Sequence, residues 1–315
     1  MAADTSHWLK AGIDLSARSW PLATLGLAGL DPSESRLPAL VLPGTPVGTV
    51  DRSVAADLGL PPEVVIVAGM TDGCTAQLAA GAVREGDTMG VLGTTLVLKA
   101  VSETPLMTAD GAVYSHLAPD GRYWAGGASN AGAGVLAAEF PDEDLGALDE
   151  EVAHSVAGYV RYPLSVVGER FPVADRRLPP LSDGVPSSRL DAYRALLEGV
   201  AFVERLGLER LQALGVTPRR HLIAGGATAS EVWNRIRATV LATVAPVSVV
   251  PSASSGVGAA ILAAHALHGS RSLRESVDRL VPAPESVDPV AAQRDSLDRA
   301  YQRFVDLVEG SLRHA

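Results

Sequence analysis

The stretch Val64–Val101, VVIVAGMTDGCTAQLAAGAVREGDTMGVLGTTLVLKAV, constrains the fold more than any other part of the chain. Its apolar run Val64–Ala68 suits a short buried strand. Gly69 permits a bend, and Asp72 stands where a helix would begin. Ala76–Val83, rich in Ala and Leu, is predicted as a helix packed closely on a sheet and closed by Gly86-Asp87. Thr88–Leu92 and Leu96–Ala100 flank Gly93-Thr94-Thr95 in the pattern of a β-hairpin. One carboxylate and one Gly-Thr-Thr turn thus fall in a single compact unit. That pairing suits phosphoryl transfer: a base for an attacking hydroxyl, and amides with hydroxyls for a phosphate.

A chain of 315 residues can bury a large core and is expected to form two lobes. Aromatics are only 4% of it, so that core must be built mainly of Ala, Val and Leu. The net charge of −10 and the absence of a Lys/Arg track argue against a nucleic-acid partner. A single cysteine, Cys74, excludes an internal disulfide framework and a cysteine-based zinc cage. No apolar run approaches the roughly 20 residues needed to cross a bilayer, and MAADTSHWLK lacks the core of a signal peptide. The expectation is a cytoplasmic protein with no membrane partner.

From the amino terminus, Trp8–Leu15 reads as a strand or hairpin arm and Trp20–Leu27 as a helix with Ser19 as its cap. Residues 31–63 are loop-rich, from Asp31-Pro32 to Leu60-Pro61-Pro62, with one short helix at Ser53–Leu58. Ala112–Leu117 and Arg122–Ala125 read as strands. Gly126-Gly127-Ala128-Ser129-Asn130 then opens a helix over Ala131–Phe140, and residues 142–151 form a solvated acidic helix face. Tyr159–Pro163 reads as a strand and residues 165–187 as a surface excursion. Arg189–Leu214 is the clearest long helix, with Glu204 the one polar entry on its apolar stripe and Gly215 at its end. Strand His221–Ala224, turn 225–230, helix Glu231–Ala242, strand Val247–Val250, loop Pro251–Ser255 and helix Gly256–Leu267 follow. An amphipathic helix, Val290–Leu312, closes the chain. The alternation argues for α/β with mixed sheets.

Each candidate for chemistry has a plainer alternative. Asp72 can align a hydroxyl and take its proton, yet Asp is also a favoured helix cap, and spacing alone favours the cap. Gly93-Thr94-Thr95 can wrap a phosphate or simply turn a hairpin. Gly225-Gly226 before a helix offers flat backbone to a nucleoside and a helix start to an anion, but tight packing explains it equally well. It is neither a G-x-G-x-x-G fingerprint nor a P-loop. Ser129 and Asn130 read as cap residues, Cys74 and Trp233 as core. The seven histidines show no metal-ligand spacing.

Taken in order, these motifs resemble the FGGY carbohydrate kinases, of the actin/hexokinase/heat-shock-70 ATPase superfamily. The resemblance rests on TDGCTAQLAAGA, LGTTLVLK and GGASNAGAG, then on GGAT-x-S-x-x-W-x-x-I and GAAILAAHALHG, with LKAGIDLSARSWP and the long helix beside them. These stretches look closest to the ribulokinase/xylulokinase-like branch. The resemblance implies an actin-like (ribonuclease H-like) α/β fold and ATP with Mg²⁺ in a cleft between two lobes. It implies Asp72 as catalytic base, Gly93, Thr94 and Thr95 as a phosphate hairpin, and Gly225, Gly226 and Thr228–Ser230 as the adenosine motif. The substrate it implies is a small sugar such as a pentulose, with Asp72 its one assigned contact.

Two departures qualify the resemblance. The family opens with a D-x-G-T-[ST] phosphate loop whose Asp helps hold Mg²⁺, and no such motif occurs in residues 1–30, so no metal ligand is assigned in this chain. The 251–255 loop also lacks the acidic residue that relatives often place there. The expected organisation is a remnant of the first, sugar-binding lobe over residues 1–70. A complete ATP-binding lobe covers 71–288, and a terminal helix over 289–315 returns toward the first lobe. Two alternatives stay open. In one, a kinase lacks an amino-terminal segment, supplied upstream or compensated by a homo-oligomer. In the other, a short protein binds nucleotide or docks on a partner without catalysis. A bare rear lobe should expose apolar surface that the absent part would cover.

Overall fold

The computed structural model describes residues 2–30, 37–250, 253–267 and 272–313. The turn at Asp31-Pro32, the loop residues Pro251-Ser252 and the His268-Gly269 end of one motif lie outside the described residues.

Residues 2–70 hold β1 (Ala2–Asp4), α1 (Leu22–Leu27), β2 (Ala39–Val41), β3 (Pro46–Thr49), α2 (Arg52–Asp57) and β4 (Val65–Val67). They make two small ribbons, β1 with β2 in parallel and β3 with β4 antiparallel. Little of this region is buried. Leu27, Leu58 and Ile66 are 91%, 67% and 46% exposed, and Trp8, Leu30, Val47, Val54 and Leu60 are also exposed.

The rest is a layered α/β unit. In chain order come α3 (Asp72–Ala79), β5 (Asp87–Leu92), β6 (Leu96–Ser102), β7 (Tyr114–Leu117), β8 (Tyr123–Ser129), α4 (Gly134–Glu139) and α5 (Leu145–Val152). Then follow β9 (Arg161–Tyr162), β10 (Leu181–Ser182), α6 (Arg189–Ala213), β11 (Arg220–Ala224), α7 (Glu231–Val240) and β12 (Val247–Val249). The last elements are α8 (Ser255–Leu267), α9 (Leu273–Leu280), β13 (Glu285–Ser286) and α10 (Arg294–Arg313). Seven strands form one mixed sheet in the order β13-β12-β11-β5-β6-β8-β7.

Strand alternation divides the core between the two faces of this sheet. Leu96, Leu98 and Ala100 of β6 face one cluster with α6, α7 and α10, where Leu297, Tyr301 and Phe304 pack. Val101 and Trp124 face the other, with Cys74 and Leu78 of α3, Ile261 of α8 and Val277 of α9. Among the described residues no helix is long and apolar enough to cross a membrane.

Several expectations need correction. Trp8–Leu15 is not a continuous strand: the Asp4 carboxylate accepts from the backbone N–H of Ser6 and His7, the chain turns into a short 3₁₀ segment, Leu9–Ala11, and only Asp14 forms a hairpin arm, bridged antiparallel to Ser19. Ser19 is no cap, because it is held extended against Asp14, and α1 starts after Pro21. The helix expected at 76–83 begins at Asp72 and stops at Ala79, before Gly81 with φ of +75°. Gly126-Gly127 does not open a helix but lies within β8. A side chain there is impossible, since a Cβ on Gly126 would come 1.9 Å from the Leu98 carbonyl oxygen. The 165–187 excursion is partly interior, with Phe171 and Leu178 in the core and Glu169 buried.

The polar entry on α6 proves to be the centre of the unit. Glu204, fully buried, accepts from Arg237 of α7 through Nε at 2.7 Å and Nη2 at 2.6 Å, and from His221 Nε2 of β11 at 3.0 Å. His221 Nδ1 lies 2.8 Å from the Thr88 hydroxyl of β5. The network passes beneath Gly90, where a Cβ would fall 2.1 Å from Glu204 Oε1. Burial by itself pushes the Glu204 pKa up, but Arg237 and His221 outweigh it and hold the carboxyl at about 2.

Arg237→Leu is expected to strand this carboxylate and destabilise the fold by about 3–5 kcal/mol in urea unfolding. Because the folded pKa is depressed, the Glu204 contribution is complete above pH 4.5 and is lost as pH falls through about 2. Glu204→Gln should flatten the stability profile in that window; an unchanged slope would refute the assignment.

Candidate active site

β11 runs parallel to β5 in a register that places Ala224 opposite Val91. The turns that leave these strands at the same end, at Gly225 and Gly93, are therefore neighbours. They touch: a Cβ on Gly225 would lie 2.4 Å from the Leu92 carbonyl oxygen, and Gly225 has φ of +98°, so glycine is required there twice over. The Gly93 hairpin is buttressed from its other side. Ala133 N–H donates to Gly93 O at 2.8 Å, Gly134 N–H to Thr94 O at 3.1 Å, and Leu96 N–H to Ala131 O at 2.8 Å. Glu169 fixes the approach to this buttress by accepting from Ser129 Oγ, Asn130 N, Tyr162 OH and Arg170 N. Ser129 and Asn130 thus brace the hairpin rather than cap a helix.

Gly93 and Gly226 have open space where a Cβ would stand, and Thr94 is exposed. Flat backbone faces are therefore presented side by side. Thr228 and Ser230 point their hydroxyls inward. Thr228 donates to Gly225 O at 2.8 Å, while Ser230 caps α7 by accepting from Trp233 N–H and donates to Asp149 Oδ2 at 2.6 Å. Asp149, from the stretch expected to be purely solvated, also accepts from Tyr193 at 2.8 Å and so ties α5 to α6 and α7. Beneath the turn, Asn234 donates to Thr228 O, and its buried Oδ1 has no partner.

Asp72 is the first residue of α3 and is exposed. The preceding residue is pinned by the amino-terminal segment: Thr71 N–H donates to Ser6 Oγ at 3.0 Å, and Ser6 is itself bonded to Asp4. Ser255 of α8 donates to the Asp72 carbonyl at 3.1 Å. Among the described residues no hydrogen bond links Asp72 to the Gly93 hairpin. The nearer neighbour of this helix start is Lys99 of β6, whose Nζ lies 3.9 Å from the position of a Cβ on Gly73. Lys99 is 7% exposed and donates to Cys74 Sγ at 3.1 Å. Sequence reading missed it, although a lone charge in the apolar run LVLKAV is the signal that could have exposed it. Burial, with Lys99 and then Lys10 nearby, pushes the pKa of His116 down to about 3. Among the described residues no group of three or more His, Cys, Asp or Glu side chains is placed to hold a metal ion.

Residues 88–267 match the C-terminal domain of the FGGY family of carbohydrate kinases, more than half of the chain, and the protein belongs to this family. It is 26% identical over 322 residues to the xylulose kinase of Escherichia coli K12, covering 94% of this chain and 63% of that one. It is 28% identical to a ribulokinase of Mycolicibacterium smegmatis, covering 78% of this chain and 48% of that protein. The crystal structure of a xyloylose kinase from Brucella ovis superposes with a TM-score of 0.87 at 25% identity, covering 100% of this chain and 66% of the other. The chain thus spans less than two thirds of the length of these relatives, and its α/β unit has their actin-like fold.

His116 is expected to stay neutral in the folded protein at neutral pH. Its depressed pKa means that the unfolded chain binds the proton more readily, so stability falls as pH drops from 6.5 toward about 3. In thermal unfolding, His116→Gln should remove most of the loss between pH 6.5 and 4.5, a range above the Glu204 window.

Proposed function

We propose that the chain binds ATP on the paired turns and, within a complete two-lobed architecture, phosphorylates a hydroxyl of a pentulose or similar ketose. One observation carries this reading: the Gly225 turn and the Gly93 hairpin lie in van der Waals contact at the same end of β5 and β11. The open faces of Gly93 and Gly226 suit close approach of a nucleoside triphosphate, because the space where a side chain would stand is empty at each and the backbone is left uncovered. In this proposal Gly225 and Gly226 lie along the adenosine, and the orphaned Asn234 Oδ1 is an acceptor available below them. The backbone of Gly93 with the Thr94 and Thr95 hydroxyls donates to phosphate oxygens. Thr228 and Ser230 shape the turn through their inward bonds. ATP, when bound with Mg²⁺, supplies the phosphoryl group; no residue of this chain is assigned to the metal. Asp72, exposed at a helix start, orients the acceptor hydroxyl and takes its proton as the new O–P bond forms. The proposed setting is the cytoplasm.

A second reading is a nucleotide-binding or docking module without catalysis, in keeping with the lack of a D-x-G-T-[ST] loop in residues 1–30. The exposed apolar side chains of residues 2–70 support the first reading instead, since further polypeptide of a two-lobed architecture would cover them.

The two readings separate in one set of assays. ADP release over a panel of ketoses should be weak for the 315-residue chain and strong for a chain extended upstream in its gene. Loss of one electrostatic element alone costs about 10²–10³ in rate. Equal turnover by both chains would show that residues 1–63 already supply the missing phosphate loop. In the active form, Asp72→Ala should abolish turnover and leave ATP affinity nearly unchanged. Gly226→Val should do the reverse to binding, weakening ATP about tenfold or more while the melting temperature stays put.

A further inference from the structure

At the end of the sheet opposite the paired turns lies a cavity of about 450 Å³ lined by five arginines. They arrive from separate segments. Arg84 follows α3, Arg122 precedes β8, Arg219 and Arg220 enter β11, and Arg274 belongs to α9. β5 and β11 separate this cavity from Gly93 and Gly225 by a strand length, roughly 15 Å at about 3.3 Å per residue. In a protein whose net charge is −10, five guanidiniums against two lining carboxylates, Glu85 and Asp87, make a local excess of the opposite sign.

Ion pairing within the fold does not use these guanidiniums up. Arg220 is committed, bidentate on Asp87 at 2.6 and 2.8 Å and bonded to Gly81 O. Arg122 donates through Nε and Nη2, at 3.0 and 2.6 Å, to one oxygen of Asp120. Arg84 pairs with Asp278, which leaves Arg274 a long contact of 3.5 Å to the same carboxylate, with its side chain 62% exposed. Among the described residues Arg219 has no ion-pair partner. The remaining lining carboxylate, Glu85, stands on the exposed rim. Among the described residues Arg219 is thus unpaired and Arg274 held only by that long contact, beside three guanidiniums already oriented by carboxylates.

We propose that this cavity is a binding site for a small phosphate-bearing polyanion, distinct from the proposed ATP site. The planar forks of Arg219 and Arg274 match phosphate oxygens bidentately, and the guanidinium N–H groups that Arg84, Arg122 and Arg220 do not give to their carboxylates remain as further donors. Fixed pairs do not have to reorganise when the anion arrives, so the ordering cost falls mainly on Arg219 and Arg274. The Asp87–Arg220 pair at the cavity floor begins the same two strands whose far ends carry the Gly93 and Gly225 turns.

The test is calorimetric titration of the 315-residue protein with inorganic pyrophosphate at low ionic strength, repeated on Gly226→Val, which obstructs the proposed nucleotide site. One binding event should persist in Gly226→Val and weaken steeply with added salt. The double variant Arg219→Gln, Arg274→Gln should weaken that event about tenfold or more in the same Gly226→Val background. Should the double variant fail to fold, Arg274→Gln alone decides, since that exposed side chain makes only the one long contact. Absence of pyrophosphate binding by the unaltered protein, or wild-type affinity in the variant that folds, overturns the proposal. Neither result depends on whether the protein phosphorylates sugars.

Discussion

The rest of the unit depends on one buried ion pair. Glu204 and Arg237 sit in the space between α6, α7 and the sheet, and His221 adds β11 to the same carboxylate. Removing two charges from water is costly, and hydrogen bonds to the ionised groups offset part of that cost. Here the carboxylate receives three, while Arg237 Nη1 has no partner among the described residues, and Gly90 makes the room for the network by having no side chain. Such an arrangement is intolerant of register error. Sliding β11 by one residue against β5 would turn His221 away from Glu204 and set a side chain against the carboxylate. The ion pair therefore specifies which residues end up side by side at the strand ends.

That dependence explains why the neighbouring turns were legible as a pair only through family order. Gly225-Gly226 and Gly93-Thr94-Thr95 are over a hundred residues apart in sequence. Nothing local in either states that the first presses on the carbonyl just before the second. The long helix α6 and the alternation of strands and helices from His221 onward were readable because their periodicity is strong and their ends carry Ser188 and Gly215. Glu204 could be singled out as anomalous on its helix, but its partners come from other elements.

Where the reading failed, side chains bonding to local backbone or close packing overruled propensity. Asp4 turned a predicted strand into a 3₁₀ segment. Gly126 and Gly127 looked like a helix opening because two glycines before Ser and Asn resemble a cap, yet they are strand residues pressed against Leu98 and Phe171. Lys99 was hidden by its flanks: an apolar strand with one charge reads as a strand, and only the fold shows that the charge meets Cys74 at the start of α3. Thr228 and Ser230 were placed correctly in the turn, but their hydroxyls serve its shape.

The bond from Thr71 N–H to Ser6 Oγ has a mechanical meaning. It fastens the residue before Asp72 to the sparse segment of residues 2–70, while Ser255 of α8 holds the Asp72 carbonyl from the other side. The start of α3 is thus clamped between two distant stretches of chain, and the direction of the Asp72 carboxylate is inherited from both, as a bracket screwed to two walls takes its angle from the corner they make.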